Sequence, residues 1–268
     1  MEVRAGGDDR AQDARDKMAL ADGLRKKGDY DEAVALYQQA AALYVEVLGH
    51  DHMATIKTSR GEAVSYMDVA ASYTNAGVVY ASQEKYEEAL EMLQKSLQIT
   101  IKVVGHDDKD VASTCMNIAN VYEGQGKYEE ALEMHQKSLQ IKIKLVGHDP
   151  MDIATSYMNV AVVYDSQGKY EEALDMHQKS LDIKIKVVGH DHKEVADSKW
   201  NMAMMFETQG KRDEARKLFF ECEKIYSKEY GPDHEETLEA ARRARALGQD
   251  SGHFDWMLLS ACCSAARR

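Results

Sequence analysis

Histidine side chains are the first candidates for chemistry in this sequence, because neutral imidazole is the commonest metal ligand in proteins. His106, His148 and His190 recur at intervals of 42 residues, with His192 close behind the last of them. A residue that returns at a fixed interval serves a repeated structural unit, whereas a metal site needs several ligands around one ion. The spacing therefore predicts a structural role for these histidines and no metal site.

The other reactive side chains form no catalytic pattern. No serine, cysteine or lysine lies in a nucleophile motif, and no glycine-rich phosphate loop follows a strand. Acidic pairs such as Glu129 and Glu130 are adjacent in sequence, so they point to different sides of a helix. The cysteines show neither metal-site spacing nor a disulfide framework; they are Cys115, Cys222, Cys262 and Cys263. The sequence predicts no enzymatic activity and no cofactor.

Four asparagines carry the strongest indication of binding. Asn75, Asn117, Asn159 and Asn201 lie 42 residues apart. Because an amide both donates and accepts hydrogen bonds, a column of amides can pair with an extended peptide backbone. The alternative is that each amide bonds between neighbouring repeats, and the two roles can coexist.

The neighbours of these asparagines suggest what the column would bind. Methionine or tryptophan precedes three of them, an asparagine follows one at three residues, and acids follow three of them at six residues. Methionine adapts to varied ligands, so we expect a hydrophobic peptide, extended or helical, that can also be basic. The predicted peptide-binding groove comprises Asn75, Asn117, Asn159, Asn201, Met116, Met158, Trp200, Asn120, Glu123, Asp165 and Glu207.

One helical turn before each asparagine, the chain lacks the cations that would bind a terminal carboxylate. The four positions are Ala71, Ser113, Thr155 and Asp197. Since none of them can pair with a carboxylate, the sequence argues against a clamp for the end of a partner chain.

The elements that position these residues are copies of one segment, which starts at Gly105, Gly147 and Gly189. In the middle copy, apolar residues at three- and four-residue steps over 153–164 predict an amphipathic helix. Gly168 is expected to end that helix in a left-handed conformation, and a second helix follows near Tyr170. Each segment is therefore a helix hairpin.

Acidic residues mark the start of each hairpin. We expect a capping residue followed three residues later by an acid in the first helical turn. The predicted pairs are Asp107/Asp110, Asp149/Asp152, Asp191/Glu194 and Asp233/Glu236.

The motif N-x-A-x-x-Y followed by G-K-Y-E-E-A-L resembles a tetratricopeptide repeat (TPR). The 42-residue period resembles the subclass found in kinesin light chains and nephrocystin-3-like proteins. This resemblance implies an all-α, right-handed α-solenoid of stacked helix-turn-helix hairpins, with a capping helix at its C-terminal end. It further implies that the first helices line a concave groove and that the protein is a kinesin-light-chain-like scaffold or adaptor.

The repeat register also predicts the organisation of the chain. Fourteen residues at 49–62 fall outside the register. They span almost four helical turns, so we favour a backward extension of the next helix over a loop. The predicted segments are a disordered leader 1–6, a TPR solenoid 7–248 with repeats 7–48, 63–104, 105–146, 147–188 and 189–230, an insertion 49–62, a capping helix 231–248, and a flexible tail 249–268.

Composition narrows the class of partner. A net charge of −12 disfavours nucleic acid and anionic membranes, which attract basic patches. No apolar run reaches the roughly 20 residues of a membrane span, and the cysteine usage suits the cytoplasm. We therefore expect a protein or peptide partner. The alternatives are a regulatory subunit that tethers an enzyme and a structural solenoid that assembles with itself; the sequence leaves the oligomeric state open.

Overall fold

The computed structural model describes residues 5–49, 55–57, 63–145, 147 and 149–249. Within them the chain forms eleven helices and one short pair of strands. The helices are α1 (Ala5–Lys27), α2 (Tyr30–Leu48), α3 (Tyr66–Ser82), α4 (Tyr86–Val104), α5 (Lys109–Gly124), α6 (Tyr128–Lys144), α7 (Pro150–Ser166), α8 (Tyr170–Val188), α9 (Lys193–Thr208), α10 (Arg212–Tyr230) and α11 (Glu235–Gln249). The predicted all-α repeat fold is confirmed.

The chain divides into two compact units, Met1–Lys169 and Tyr170–Arg268. Unit 1 contains α1 to α7, and unit 2 contains α8 to α11. The two helices of the predicted repeat 147–188 thus belong to different units. Of the predicted leader, residues 5 and 6 already belong to α1; of the predicted tail, Gln249 ends α11 and the rest lies outside the described residues.

Capping side chains start α5, α7 and α9, the first helices of three hairpins. Asp149 caps α7, accepting a hydrogen bond from the Met151 backbone N–H at 2.9 Å, as predicted. The caps of α5 and α9 are Asp108 and His192, each accepting from the backbone N–H two residues on. The predictions of Asp107 and Asp191 as caps are therefore wrong by one residue.

Those two aspartates contribute an ion pair instead. Asp107 contacts Lys144 at 3.3 Å in unit 1, and Asp191 contacts Lys228 at 2.7 Å in unit 2. Each lysine lies at or just inside the C-terminal end of the second helix of the same repeat. The hydrogen bond from Lys228 holds the pKa of Asp191 below its ordinary value. Because all four side chains are exposed, each pair adds little to stability.

Left-handed residues join the two helices of each hairpin. Gly126, Gly168 and Gly210 each adopt φ +71°, which confirms the expectation for Gly168. At the matching position, 42 residues before Gly126, Glu84 adopts φ +60°. A residue with a Cβ atom is strained in this conformation.

The insertion at 49–62 contributes a strand and not an extended helix. Residues Thr55–Lys57 pair antiparallel with Ala63–Ser65, so that Ile56 faces Val64 across the ladder. Ser65 is extended and caps α3, and its backbone N–H donates a hydrogen bond to Oδ2 of Asp68 at 2.7 Å. This capping box starts α3 at Tyr66, so the expected backward extension of that helix is wrong.

Small residues allow the helices of unit 1 to approach closely. A Cβ atom added to Gly77 in α3 would lie 2.7 Å from Cγ of Leu93 in α4. Ala119 in α5 and Ala131 in α6 have no exposed surface. Large side chains pack against other small ones; Tyr37, for example, is fully buried in one cluster with Ala33 and Ala76.

A buried lysine joins successive repeats in both units. In unit 1, Nζ of Lys142 in α6 donates to Oγ of Ser156 in α7 at 2.9 Å. In unit 2, Nζ of Lys184 in α8 donates to Oγ of Ser198 in α9 at 2.8 Å. Burial lowers the pKa of Lys142. Each hydrogen bond therefore holds one hairpin against the next. Burying the lysine charge also costs desolvation free energy.

Unit 2 has an aromatic core. Trp200 in α9 packs edge-to-face on Phe219 in α10, with ring centroids 5.0 Å apart. Cys222 is fully buried, and burial raises the pKa of its thiol to about 12. The last helix, α11, packs against α10 and contributes Ala240, Ala244 and Leu247 to the core.

Candidate functional site

The predicted column of asparagines lies on the first helices of the repeats. In unit 1, α3 carries Asn75, α5 carries Asn117 and α7 carries Asn159, and all three side chains are half-buried. Among the described residues, no hydrogen bond joins any of these three side chains to another group. In unit 2, Asn201 of α9 is exposed and has a contact partner. The amides of unit 1 therefore have unused hydrogen-bonding capacity.

Two of these asparagines line one cleft. A cavity of about 370 Å³ lies among α3, α4 and α5 in unit 1, and Asn75 and Asn117 are both part of its wall. Met67 adds an apolar side chain, and Asp68 and Asp110 add carboxylates. The cleft is thus mildly acidic, partly apolar and bordered by amides that can pair with a ligand.

The positions one turn before the asparagines lie in the same cleft. Ala71 and Ser113 are both part of its wall, and neither carries a positive charge. A terminal carboxylate would find no cation there.

The other predicted groove residues of unit 1 are less uniform. Met116 and Met158 are half-buried, whereas Asn120 and Asp165 are exposed. None of the four is part of the wall of the cleft. Their participation in a binding groove stays a prediction.

Glu123 lies inside its hairpin. Its Oε1 atom is 2.5 Å from Nε2 of His135, which is 2% exposed. Six residues of helix turn a side chain by about 240° from Asn117, so the two residues do not share a face. His135 and His177 are buried, which confirms that both are packing residues.

Unit 2 has a larger cavity, of about 710 Å³, among α9, α10 and α11. Trp200 and Asn201 are part of its wall, as is Leu238, which is 48% exposed. Its carboxylates outnumber its single arginine, Arg242, five to one; the five are Asp197, Asp233, Glu235, Glu236 and Glu239. The cavity combines apolar surface with strong negative charge.

Asp197 is held in place within this cavity. The hydroxyl of buried Tyr226 donates to its Oδ1 at 2.7 Å, and Lys193 contacts its Oδ2 at 3.4 Å. Burial and the bond to Asp197 raise the pKa of Tyr226. The tyrosine therefore remains a hydrogen-bond donor and fixes the carboxylate.

Arg243 takes the place of the asparagine in the last half-repeat. It lies 42 residues after Asn201. Its guanidinium contacts Glu207 at 3.1 Å and Glu239 at 3.2 Å, and its central carbon lies 5.8 Å from the ring centroid of Trp200. Aligning 231–248 with the preceding repeat would have found this residue. Glu207 is thereby paired and is not a free acid of the groove.

The repeated histidines have structural surroundings. His106 and His190 are exposed, and His192 caps α9. In the part of the chain that the structure describes, no three metal-ligating side chains of histidine, cysteine, aspartate or glutamate converge. In that same part, no helix is both long and apolar enough to span a bilayer.

Comparison with known protein families identifies the family of this chain. The tetratricopeptide repeat profile matches residues 14–66, 68–144 and 152–227, more than half of the chain. The chain belongs to the tetratricopeptide repeat family. Proteins of this repeat fold are generally non-catalytic and bind other proteins.

Solved structures similar to this TPR protein include kinesin-light-chain-like ones. A candidate kinesin light chain from Podospora anserina, with nearly identical TPR-like repeats, shares 22% identity over 82% of this chain and 98% of its own, with a TM-score of 0.67. BtubC (BKLC) from P. vanneervenii shares 20% identity over 85% of this chain and 91% of its own, also with a TM-score of 0.67.

A third similar structure is the apo form of RapI, with 16% identity over 85% of this chain and 56% of its own and a TM-score of 0.65. At these identities the likeness concerns the fold alone. No curated protein sequence matches the chain.

Proposed function

We propose that this TPR protein is a non-enzymatic scaffold of the cytoplasm that binds a peptide segment of a partner along its asparagine-bearing first helices, as a kinesin-light-chain-like adaptor would. The observation that carries the proposal is the pair of half-buried amides, Asn75 and Asn117, in one cleft of about 370 Å³. Among the described residues neither amide has a hydrogen-bond partner. A peptide backbone supplies the donors and acceptors that they lack.

The charge of the cavities supports a partner segment with basic residues. Asp68 and Asp110 are part of the cleft of unit 1, and five carboxylates are part of the larger cavity of unit 2. A lysine or arginine side chain of the partner would gain from these carboxylates, whereas an acidic segment would be repelled. Apolar side chains of the partner would contact Met67 in unit 1 and Trp200 or Leu238 in unit 2.

The test is selection of a random twelve-residue peptide library on the full chain, followed by fluorescence anisotropy on the selected peptides. We expect hydrophobic and basic sequences to be enriched. The double variant Asn75→Ala/Asn117→Ala should bind them about tenfold or more weakly, since each lost amide pairing is worth roughly 1 kcal/mol. Gln94→Ala is the matched control, because Gln94 is an exposed amide on α4 away from the cleft.

Two results would contradict the proposal. The double variant could remain helical by circular dichroism and bind the selected peptides with unchanged Kd, which would place the site elsewhere. Alternatively, enrichment of acidic peptides would exclude the charge argument. Sedimentation velocity on the unliganded chain addresses self-assembly, which would show as a concentration-dependent sedimentation coefficient.

A further inference from the structure

The buried lysine that joins successive repeats is replaced by another residue at two places in the series. Lys142 and Lys184 lie 42 residues apart, and the same position holds Thr100 one repeat earlier and Tyr226 one repeat later. Thr100 is part of the wall of the cleft of unit 1, and Tyr226 is part of the wall of the cavity of unit 2. Both openings therefore lie where a second helix lacks the lysine.

The lysine has two kinds of neighbour where it is present. Nζ of Lys184 donates to Oγ of Ser198 at 2.8 Å and lies 3.8 Å from Oε2 of Glu194. Oγ of Ser198 itself donates to the carbonyl oxygen of Glu194 at 3.0 Å, so its lone pairs are left to accept from the ammonium. Lys142 and Ser156 repeat this arrangement in unit 1.

The contact between α4 and α5 keeps both neighbours without the lysine. Thr114 and Asp110 of α5 correspond to Ser198 and Glu194 of α9. Oγ1 of Thr114 donates to the carbonyl oxygen of Asp110 at 2.8 Å, and the side chain is only 4% exposed. Among the described residues, no donor reaches this hydroxyl oxygen and no cation pairs with the Asp110 carboxylate. A buried acceptor and a carboxylate are thus left without the cation that they have in later repeats.

Thr100 does not take over the role of the lysine. Its Oγ1 donates to the carbonyl oxygen of Ser96 in the same helix at 2.9 Å, and its side chain is too short to reach α5 as a lysine does. The cleft of about 370 Å³ has Thr100, Asp110 and Thr114 in its wall. It therefore offers a cation the surroundings that Lys142 and Lys184 have within the chain.

The contact between α10 and α11 in unit 2 has changed further. Tyr226 donates its hydroxyl to Asp197, and Ala240 stands at the position of the serine and has no hydroxyl to accept a bond. Glu236, the acid of this contact, pairs with His234. The surroundings of the lysine are therefore preserved at the open contact in unit 1 and not at the one in unit 2.

We propose that the cleft of unit 1 takes a lysine side chain of the bound partner, whose ammonium donates to Oγ1 of Thr114 and pairs with the Asp110 carboxylate. Thr100 determines this specificity, because a lysine at its position would fill the same space from within the chain. The inference rests on the proposed function in that the cleft receives a partner segment, and it adds which side chain enters. The ligand is an ammonium because the chain itself places an ammonium at this position in two later repeats.

A single lysine residue without a peptide tests the site. The probe is Nα-acetyl-L-lysine N-methylamide, titrated into the full chain with isotope-labelled threonine methyl groups and followed by NMR. We expect the Thr100 and Thr114 methyl resonances to shift with a millimolar Kd, and the norleucine analogue, which lacks the ammonium, to leave them unchanged. Asp110→Asn should weaken binding about fivefold or more, since it keeps the size of the side chain and removes its charge.

A pair of lysine substitutions on α4 tests the role of Thr100. Thr100→Lys should place an ammonium against Thr114, as Lys142 is placed against Ser156, and the probe should then no longer shift the Thr114 resonance. Gln98→Lys is the matched control, because it adds the same charge at an exposed position of α4 outside the wall of the cleft. It should bind the probe within about twofold of the wild type, since solvent screens a distant exposed charge.

The outcomes decide the proposal. Equal shifts with the lysine and norleucine analogues, binding retained by Thr100→Lys, or an unchanged Kd in Asp110→Asn would each overturn it. The probe has no partner sequence, so these results are separate from those of the Asn75→Ala/Asn117→Ala variant. If that variant loses peptide binding and the lysine analogue does not bind, the proposed function stands and this inference fails. If the analogue binds and the variant still binds peptides, the reverse holds.

Discussion

Lys142 is a charged side chain buried between two helices of unit 1. Its side chain is 6% exposed, and its ammonium donates to Ser156. Burial lowers its pKa from the ordinary value of 10.5, so the folded state binds this proton less well than the unfolded state. The resulting penalty on the free energy of unfolding is full at neutral pH and disappears as pH rises from the lowered pKa to 10.5.

We therefore predict that Lys142→Met stabilises the protein. Methionine keeps the apolar stem and removes the charge, so the free energy of unfolding at pH 7 should rise by about 1 kcal/mol. Urea denaturation at pH 7 and pH 10 would measure it, and the variant's advantage should shrink at the higher pH. The exposed Lys102→Met in α4 is the control, and a variant that unfolds more easily than the wild type would contradict the prediction.

Glu84 has a left-handed backbone conformation that favours glycine over a residue with a side chain. It has φ +60°, while the matching positions in the later repeats are glycines at φ +71°. The substitution Glu84→Gly should raise the free energy of unfolding by about 1 kcal/mol, because the strain of the Cβ atom outweighs the added freedom of the unfolded chain.

The reciprocal substitution provides the control for that prediction. Gly126→Glu should lower the free energy of unfolding by a similar amount. An added Cβ atom would meet nothing within 4 Å, so only the backbone is strained. Thermal unfolding followed by circular dichroism reports both variants. A lower midpoint for Glu84→Gly would show that its side chain contributes more than its backbone costs.

At the scale of elements, Arg243 fixes α11 to its neighbours. It bridges Glu207 and Glu239 and lies over the rings of Trp200 and Phe219. We predict that Arg243→Ala destabilises the docking of α11 by about 1–2 kcal/mol. Arg243→Lys should recover little of this, because an ammonium cannot bridge two carboxylates in one plane.

Hydrogen exchange of α11 peptides would show that loss as faster exchange. The comparison is Lys224→Ala on α10, whose exposed side chain makes no ion pair among the described residues. Equal exchange in the two variants would mean that α11 is held by its buried alanines and Leu247 alone.

The helices were predictable from the sequence where apolar residues and turn glycines recur at regular intervals. The hairpins follow from apolar spacing and from turn glycines such as Gly168, and both recur in the structure. The caps were wrong at Asp107 and Asp191 because several polar residues stand together at each junction, and only backbone geometry selects one. The prediction of a helix at 49–62 was wrong because it relied on the length of the insertion, which fits whole helical turns. The β-branched residues Thr55 and Ile56 favour a strand instead.

The site was predictable only in part for a related reason. A fixed interval places Asn75 and Asn117 on successive first helices, and the structure brings both to one cleft. The interval does not show which way a side chain points, so Glu123 was grouped with residues on another face of its helix. Arg243 was missed because the last half-repeat was treated as a cap.

At the scale of the molecule, contacts within each unit run mainly between consecutive helices. In unit 1, α1 packs chiefly against α2, whereas α3 packs against α2, α4 and α5. In such quasi-one-dimensional folds, terminal segments open more readily than central ones. We predict that amides of α1 exchange about tenfold faster than those of α3 to α5, measured by hydrogen exchange and mass spectrometry. Uniform protection from α1 to α6 would indicate that unit 1 opens as a single cooperative body.

The lysine–serine contact also bears on how such a chain can change length. Lys142 bonds to Ser156 and Lys184 bonds to Ser198. The two lysines are 42 residues apart, as are the two serines, so each repeat unit supplies both the donor and the acceptor type of this contact. A 42-residue cassette cut at any equivalent point and copied in tandem brings a matching donor and acceptor to each new junction. Copy number can thus grow or shrink by whole cassettes without any new junction having to be invented.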